Sequence, residues 1–324
     1  EGSGAPDSTV GFEKPPTFPD FTGCDQTSPE VEANWWAIIH DGGQARGFSR
    51  IMPAFRDLLT PEQITSLVKY IRGLCKDPAW ASGELNFPRP LVTEKAFPES
   101  EWVMSSGVNT GSPHDSTTTL TYERRISARN QIEVAIPFAV AHEPSGGSRT
   151  GIGDLGFGFK HVIFSNVSTI FSAQGEVVTP TGNADAGLGG GVTVFEGFGA
   201  LGQRIGNASF VQAQAGAEFP TDTQKAPRAM FARMAVGHML RQDAGLGRMW
   251  VPMMELVADR DFEDGANTNV DVVPEMQVTL NRRQHIRLGT GLQIPVTNRD
   301  GRSKQFMFYV LWDWFDGGFF DGWK

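Results

Sequence analysis

Cysteine is almost absent from this 324-residue chain, which has two, Cys24 and Cys75. Two cysteines exclude a disulfide scaffold and a cysteine-rich zinc site. Tyrosine is scarce, with 3 residues, and the 6 histidines are scattered; His114 and His142 fall in predicted loops without metal-site spacing. No apolar run reaches the roughly 18 residues of a membrane helix, an absence that leaves strands untouched. Basic residues are in deficit, 28 against 37 acidic ones, for a net charge of −9. That balance argues against a nucleic-acid partner. There is no P-loop, no Ser/His/Asp nucleophile motif and no zinc spacing, so the chain reads as a non-enzyme. Gly151-Ile152-Gly153-Asp154-Leu155-Gly156 matches the dinucleotide fingerprint, but Phe157-Gly158-Phe159-Lys160 after it alternates like a strand where the fingerprint needs a helix. Asp259, Asp261, Glu263 and Asp264 resemble a calcium loop, yet Gly265 is one position late and Val270 replaces the bidentate glutamate. We read them as an acidic external loop. The chain begins at Glu1 rather than Met, which we read as a removed targeting segment or a fragment.

Glycine (38) and phenylalanine (23) are plentiful, and 40% hydrophobic with 20% charged residues excludes wholesale disorder. Residues 1 to 78 are proline-punctuated and carry two helical patterns. Thr60-Pro61-Glu62-Gln63 reads as an N-cap, a proline at N1 and a capping box, followed by the stripe Ile64, Leu67, Val68 and Ile71 and a stop at Gly73. A second helix is expected from Ser28-Pro29 through Trp35, Trp36, Ile38 and Ile39 to Asp41-Gly42-Gly43. Residues 79–98, with Pro88, Pro90 and Pro98, read as an extended linker.

Beyond Trp102 the period changes from 3.6 to 2. Gln131-Ile132-Glu133-Val134-Ala135-Ile136-Pro137-Phe138 alternates strictly, as do 270–280, 286–294 and 306–312. About twelve antiparallel strands are expected over 99–324, most of them ten residues or longer, joined by alternately short and long connections. Long strands, an even count and alternating turn lengths mark an up-and-down transmembrane β-barrel of the outer membrane. Its apolar rows (Ile132, Val134, Ile136, Phe138; Leu155, Phe157, Phe159) are expected against lipid. Glu133, Asp154, Lys160, Glu176, Glu218, Arg233, Glu255, Asp271, Glu275 and Arg287 are expected against the lumen. The aromatic cluster Trp312, Trp314, Phe315, Phe319, Phe320 and Trp323 suits an interfacial girdle. The alternative is a soluble β-sandwich or lipocalin-like barrel with one solvated face.

Ile51-Met52-Pro53-Ala54-Phe55, then Leu59, Pro61-Glu62-Gln63-Ile64 and Leu67-Val68-Lys69-Tyr70-Ile71-Arg72, resembles the C-terminal part of a class I mono-haem c-type cytochrome domain over residues 1–76. The resemblance implies a small α-helical domain in which Met52, followed by Pro53, is the axial thioether ligand of haem c iron, a ligation suited to electron transfer. The C-x-x-C-H attachment motif is missing from the chain; Glu1-Gly2-Ser3-Gly4 resembles the stretch that follows it. The supplied chain is therefore expected to hold no stable haem. His40, at a helix end, is expected to meet the helix dipole rather than a metal. Cys24 and Cys75 flank the domain, and in an oxidising periplasm a bridge between them would stabilise by roughly 4 kcal/mol; two inert buried thiols are the alternative.

The leading expectation is thus an outer-membrane barrel in lipid, carrying a periplasmic mono-haem domain that exchanges electrons with a periplasmic redox partner. The alternative is a channel for small solutes, with the N-terminal domain as plug, docking module or redox sensor. The barrel is loosely similar to outer-membrane proteins associated with aromatic-compound degradation, a likeness of fold only. Loops 142–151, 181–191, 220–228, 259–268 and 297–303 are expected outside the cell.

Overall fold

A computed structural model describes residues 2, 18–111, 115–142, 147–240 and 249–313. The expectations placed on His114, on the aromatic cluster beyond Asp313 and on most of the first seventeen residues fall outside the described residues.

Three helices come first: α1 (Cys24–Thr27), α2 (Glu32–Asp41) and α3 (Pro61–Arg72), with a 3-10 turn at Gly43–Arg46. α3 starts as its sequence dictates. Gln63 N–H donates to Thr60 Oγ1 at 3.3 Å, and Thr60 N–H donates to Gln63 Oε1 at 2.8 Å. Its stripe supplies Ile64 and Val68, which close against Ile39 of α2 with Trp35, Trp36, Met52, Phe55 and Leu59 around them. α2 begins at Glu32 rather than at Ser28-Pro29. The reason is that the groups expected to cap it serve elsewhere: Ser28 Oγ donates to the Ala81 carbonyl at 3.1 Å, and the Pro29 carbonyl accepts from Asn86 at 2.9 Å. Val31 is left as the N-cap without a side-chain cap bond, and Glu30 before it accepts from Val31 N–H at 3.2 Å and from Asn34 Nδ2 at 2.5 Å. Cys24 and Cys75 are disulfide-bonded, with Cα atoms 5.1 Å apart, so the bridge ties α1 to the exit of the helical region.

Thirteen antiparallel segments follow: β1 (Glu101–Asn109), β2 (Ser116–Arg125), β3 (Asn130–His142), β4 (Ser148–Ile152), β5 (Leu155–Ser165), β6 (Thr169–Thr179), β7 (Val194–Ile205), β8 (Ser209–Pro220), β9 (Ala229–His238), β10 (Trp250–Asp261), β11 (Asn269–Thr279), β12 (Ile286–Pro295) and β13 (Gln305–Asp313). β4 and β5 both pair with β3 and form one stave, interrupted by a bulge at Gly153-Asp154. Each segment pairs with its chain neighbour, β1 pairs with β13, and β2 with β3 completes the ring, giving a closed twelve-stave barrel. Closure removes every sheet edge, and the architecture is that of an outer-membrane β-barrel.

The two sides of the wall differ as a period of two requires. Side chains such as Ile132, Phe138, Phe157, Phe159, Met254, Leu256 and Phe306 stand exposed on the outside, Phe159 at 48%. A soluble barrel would turn such a band inward. Near the short-turn end the outer surface carries Trp102, Tyr122 and Trp312 side by side in the register, with the Trp102 and Tyr122 rings 4.8 Å apart. That is the position of an interfacial aromatic girdle.

Candidate functional site

Residues 79–100 do not form a linker outside the barrel. They enter the lumen at the short-turn end, rise to about its middle, turn at Leu91-Val92-Thr93-Glu94 and descend to β1. They form no helix or strand, with Pro88, Pro90 and Pro98 along the path. An irregular segment in a closed space must still satisfy its backbone groups. Side chains of the wall do this. Arg89 N–H donates to Gln277 Oε1 at 3.2 Å, Leu91 N–H to Glu275 Oε2 at 2.9 Å, and Glu94 N–H to Gln214 Oε1 at 3.0 Å. Glu255 takes the N–H groups of Val92 and Thr93 at 3.0 and 2.7 Å and the Thr93 hydroxyl at 2.6 Å. Glu99 N–H donates to Gln131 Oε1 at 2.6 Å. The carbonyls of Pro88 and Arg89 accept from Gln212 Nε2 at 2.8 Å and Tyr309 Oη at 2.7 Å.

The segment's cations are paired, one with the wall and one within the segment. Arg89 Nη1 lies 2.9 Å from Glu101 and 2.6 Å from Glu123, and Lys95 Nζ lies 2.6 Å from both Glu99 and Asn86. Nearer the short turns the contact is apolar. Phe87 stacks on Phe210 at 5.2 Å, within a cluster of Leu85, Phe97, Val162, Ile170, Phe198, Met253 and others. Glycines make room for the segment: a Cβ on Gly202 would lie 3.1 Å from the Phe87 ring, and one on Gly291 would lie 2.6 Å from Leu91. Together, acceptor-rich walls, an apolar collar and glycine slots hold a stopper across the lumen.

Of the ten charged residues expected inside, Glu255 and Glu275 hold the segment directly. Cross-strand register puts Glu133 opposite Glu123, Lys160 opposite Gln131 and Arg233 opposite Gln214, on the same face as groups that touch it, and Glu176 and Glu218 both opposite Glu196. Arg287 meets Asp313 at 3.0 Å, and Asp271 meets Arg302 at 2.7 Å. Asp154 sits at the bulge and accepts from Gly182 and Gly190 N–H at 2.8 and 2.7 Å, pinning the 181–191 connection. Sequence reasoning missed Glu101, Glu123, Gln131, Gln212, Gln214, Gln277 and Tyr309. Their signal was parity: Gln131 precedes Glu133, and Gln277 follows Glu275, by two positions.

The helical region caps the short-turn end. Glu32 and Glu84 both meet Arg204 Nη2, at 3.3 and 3.1 Å, and Glu32 also meets Arg72 Nε at 3.1 Å. Burial pushes the Arg72 guanidinium below its ordinary pKa, and Glu32 opposes that shift. Arg283 donates to the Gly47 carbonyl at 3.3 Å and lies over the Phe48 ring.

Met52 packs with Ile39, Ile64 and Val68, and its carbonyl accepts from Gly43 N–H. His40 Nδ1 is 2.7 Å from Asp41, and its ring stacks on Trp36. Among the described residues Met52 is thus placed in the apolar core of the helical region, and the nearby His40 is engaged by Asp41 and Trp36.

No family model matches the chain, and no curated protein matches it in sequence. Among solved structures, the KdgM porin aligns with 66% of this chain and 99% of its own, at 6% identity and a TM-score of 0.47. An outer membrane channel from Pseudomonas putida F1 aligns over 70% and 100%, at 13% identity and a TM-score of 0.49. The NanC porin aligns over 66% and 99%, at 9% identity and a TM-score of 0.47. Likenesses of this size concern the barrel and say nothing about cargo.

Proposed function

We propose that this protein is an outer-membrane channel for small solutes that closes its own lumen with residues 79–100. The helical region is its periplasmic cap. The observation that carries the reading is the hydrogen-bonded stopper: eight backbone groups of one short segment meet side chains of the wall. These bonds go to side chains and not to the strand ladder, so the segment can leave without opening the barrel. The apolar outer surface supports lipid contact, and short turns face the periplasm in barrels of this kind. The cytochrome resemblance, with haem c at Met52 and a redox partner, rests on the M-P-A-F segment, the α3 sequence and Glu1-Gly2-Ser3-Gly4.

Planar-bilayer recording tests the reading. The native chain is expected to conduct poorly, and a variant that weakens the stopper, Glu255→Leu, is expected to open in long bursts. A Glu255→Leu barrel that folds yet never conducts would refute it.

A further inference from the structure

The wall holds a carboxylate site that a cation of the same chain already fills. Glu101 and Glu123 lie directly opposite one another on β1 and β2, both with no exposed surface, and Glu133 follows opposite Glu123 on β3. Like charges so placed repel unless a cation comes between them. Arg89 supplies it: Nη1 donates to Glu101 Oε1 at 2.9 Å and to Glu123 Oε1 at 2.6 Å, and Nη2 donates to Glu94 Oε1 at 3.4 Å. A guanidinium suits such a site because its planar fork of donors spans neighbouring carboxylates. The wall offers more than Arg89 uses. Glu101 Oε2 and Glu133 Oε2 accept no hydrogen bond, although both residues are buried.

The site also has an approach. From Glu133 the register runs through Gly158 to Glu176, Glu196 and Glu218 on successive strands. Glu133 is four residues into β3 from its short-turn end, whereas Glu218 is ten into β8, so the row climbs toward the long-loop mouth. Glu176, Glu196 and Glu218 are only half-buried. A cation entering from that mouth meets these carboxylates, outnumbering Arg233 and Lys160 on the same face, on the way to the Arg89 position; acidic rings select cations in other pores.

We propose that the wall site of Glu101, Glu123 and Glu133 binds small organic cations bearing a guanidinium or primary ammonium group, and that Arg89 is a tethered stand-in for that ligand. The proposal takes its access route, though not its binding site, from the channel reading.

Calorimetry on the detergent-purified full chain tests this with arginine amide as the probe. Arg89→Gln is expected to bind it saturably, whereas the native chain and Arg89→Lys, whose sites stay filled, show no binding. Adding Glu123→Gln to Arg89→Gln is expected to weaken binding about ten-fold or more, the worth of a charge-assisted hydrogen bond. Gly202→Val crowds Phe87 of the segment, meets side chains alone and keeps every carboxylate, so it serves as an independent opener should Arg89→Gln not fold. Absence of binding to a folded opened variant, or binding indifferent to Glu123→Gln, would overturn the proposal. Bilayer recording of the same variants separates the two readings: binding without conductance refutes the channel alone, and conductance without binding refutes the ligand site alone.

Discussion

Along β10, Leu256 faces outward and is 43% exposed, while Glu255, one residue earlier, faces inward and has no exposed surface. On the outer face the requirement is generic: any apolar side chain of suitable size satisfies lipid, and neighbours hardly depend on one another. On the inner face the groups that hold the segment have particular partners. Glu255 is committed to two backbone N–H groups and a hydroxyl, and Glu275 to one N–H. One face is therefore tolerant in detail and strict in polarity, and the other is strict in detail.

The largest effect is expected where the inner face loses one such group. Glu255→Leu keeps the volume but leaves the Val92 and Thr93 donors unpaired in a closed space. At about 1–3 kcal/mol per unmet buried group, this costs the stoppered state about 3–5 kcal/mol. Maleimide labelling of a Val92→Cys reporter should be slow in the native background and fast beside Glu255→Leu. Equal rates would show that the inner face is as tolerant as the outer. Next comes a charge on the lipid side: Ile136→Arg should cost roughly 2–4 kcal/mol in folding into vesicles, and its inner neighbour Ala135→Arg less. Equal penalties would erase the distinction between the faces. Gly202→Val should cost about 1–3 kcal/mol through overpacking against Phe87 and Ile170. Its expected signature is faster labelling of Val92→Cys with less loss of barrel stability than Ile136→Arg.

The same contrast explains what the sequence makes legible. Ile132, Val134, Ile136 and Phe138 announce a strand and its lipid face because their pattern is local, and the bounds of most strands can be read within two residues. Thr60 and Gln63 announce α3 for the same reason. Residues 79–100 announce nothing: Pro88, Pro90 and Pro98 carry the signature of a linker. The partner of Arg89 N–H is Gln277, 188 residues away, and no local period encodes so distant a bond. The M-P-A-F segment is legible in a different way: its pattern is local, and the structure places Met52 in packing against Ile39 and Ile64.

The smallest effect tests whether the helical cap behaves as part of the inner face. Thr60→Ala removes one cap hydrogen bond and half of the capping box at an exposed helix end, for about 1 kcal/mol. A chain of contacts links α3 to the lumen: Arg72 to Glu32, Glu32 to Arg204, and Arg204 to Glu84 at the foot of the stopper. If that chain merely positions the cap, amide exchange should quicken across residues 61–72 while Leu91, Val92 and Thr93 keep their native protection. The detection limit of such a comparison is well within a ten-fold change in exchange rate, about what 1.4 kcal/mol produces. Parallel quickening in both places would instead make cap and stopper one cooperative unit. The strictness of the inner face would then extend through Glu84 and Arg204 into the helices, and any partner that loosens the cap would also unseat the stopper.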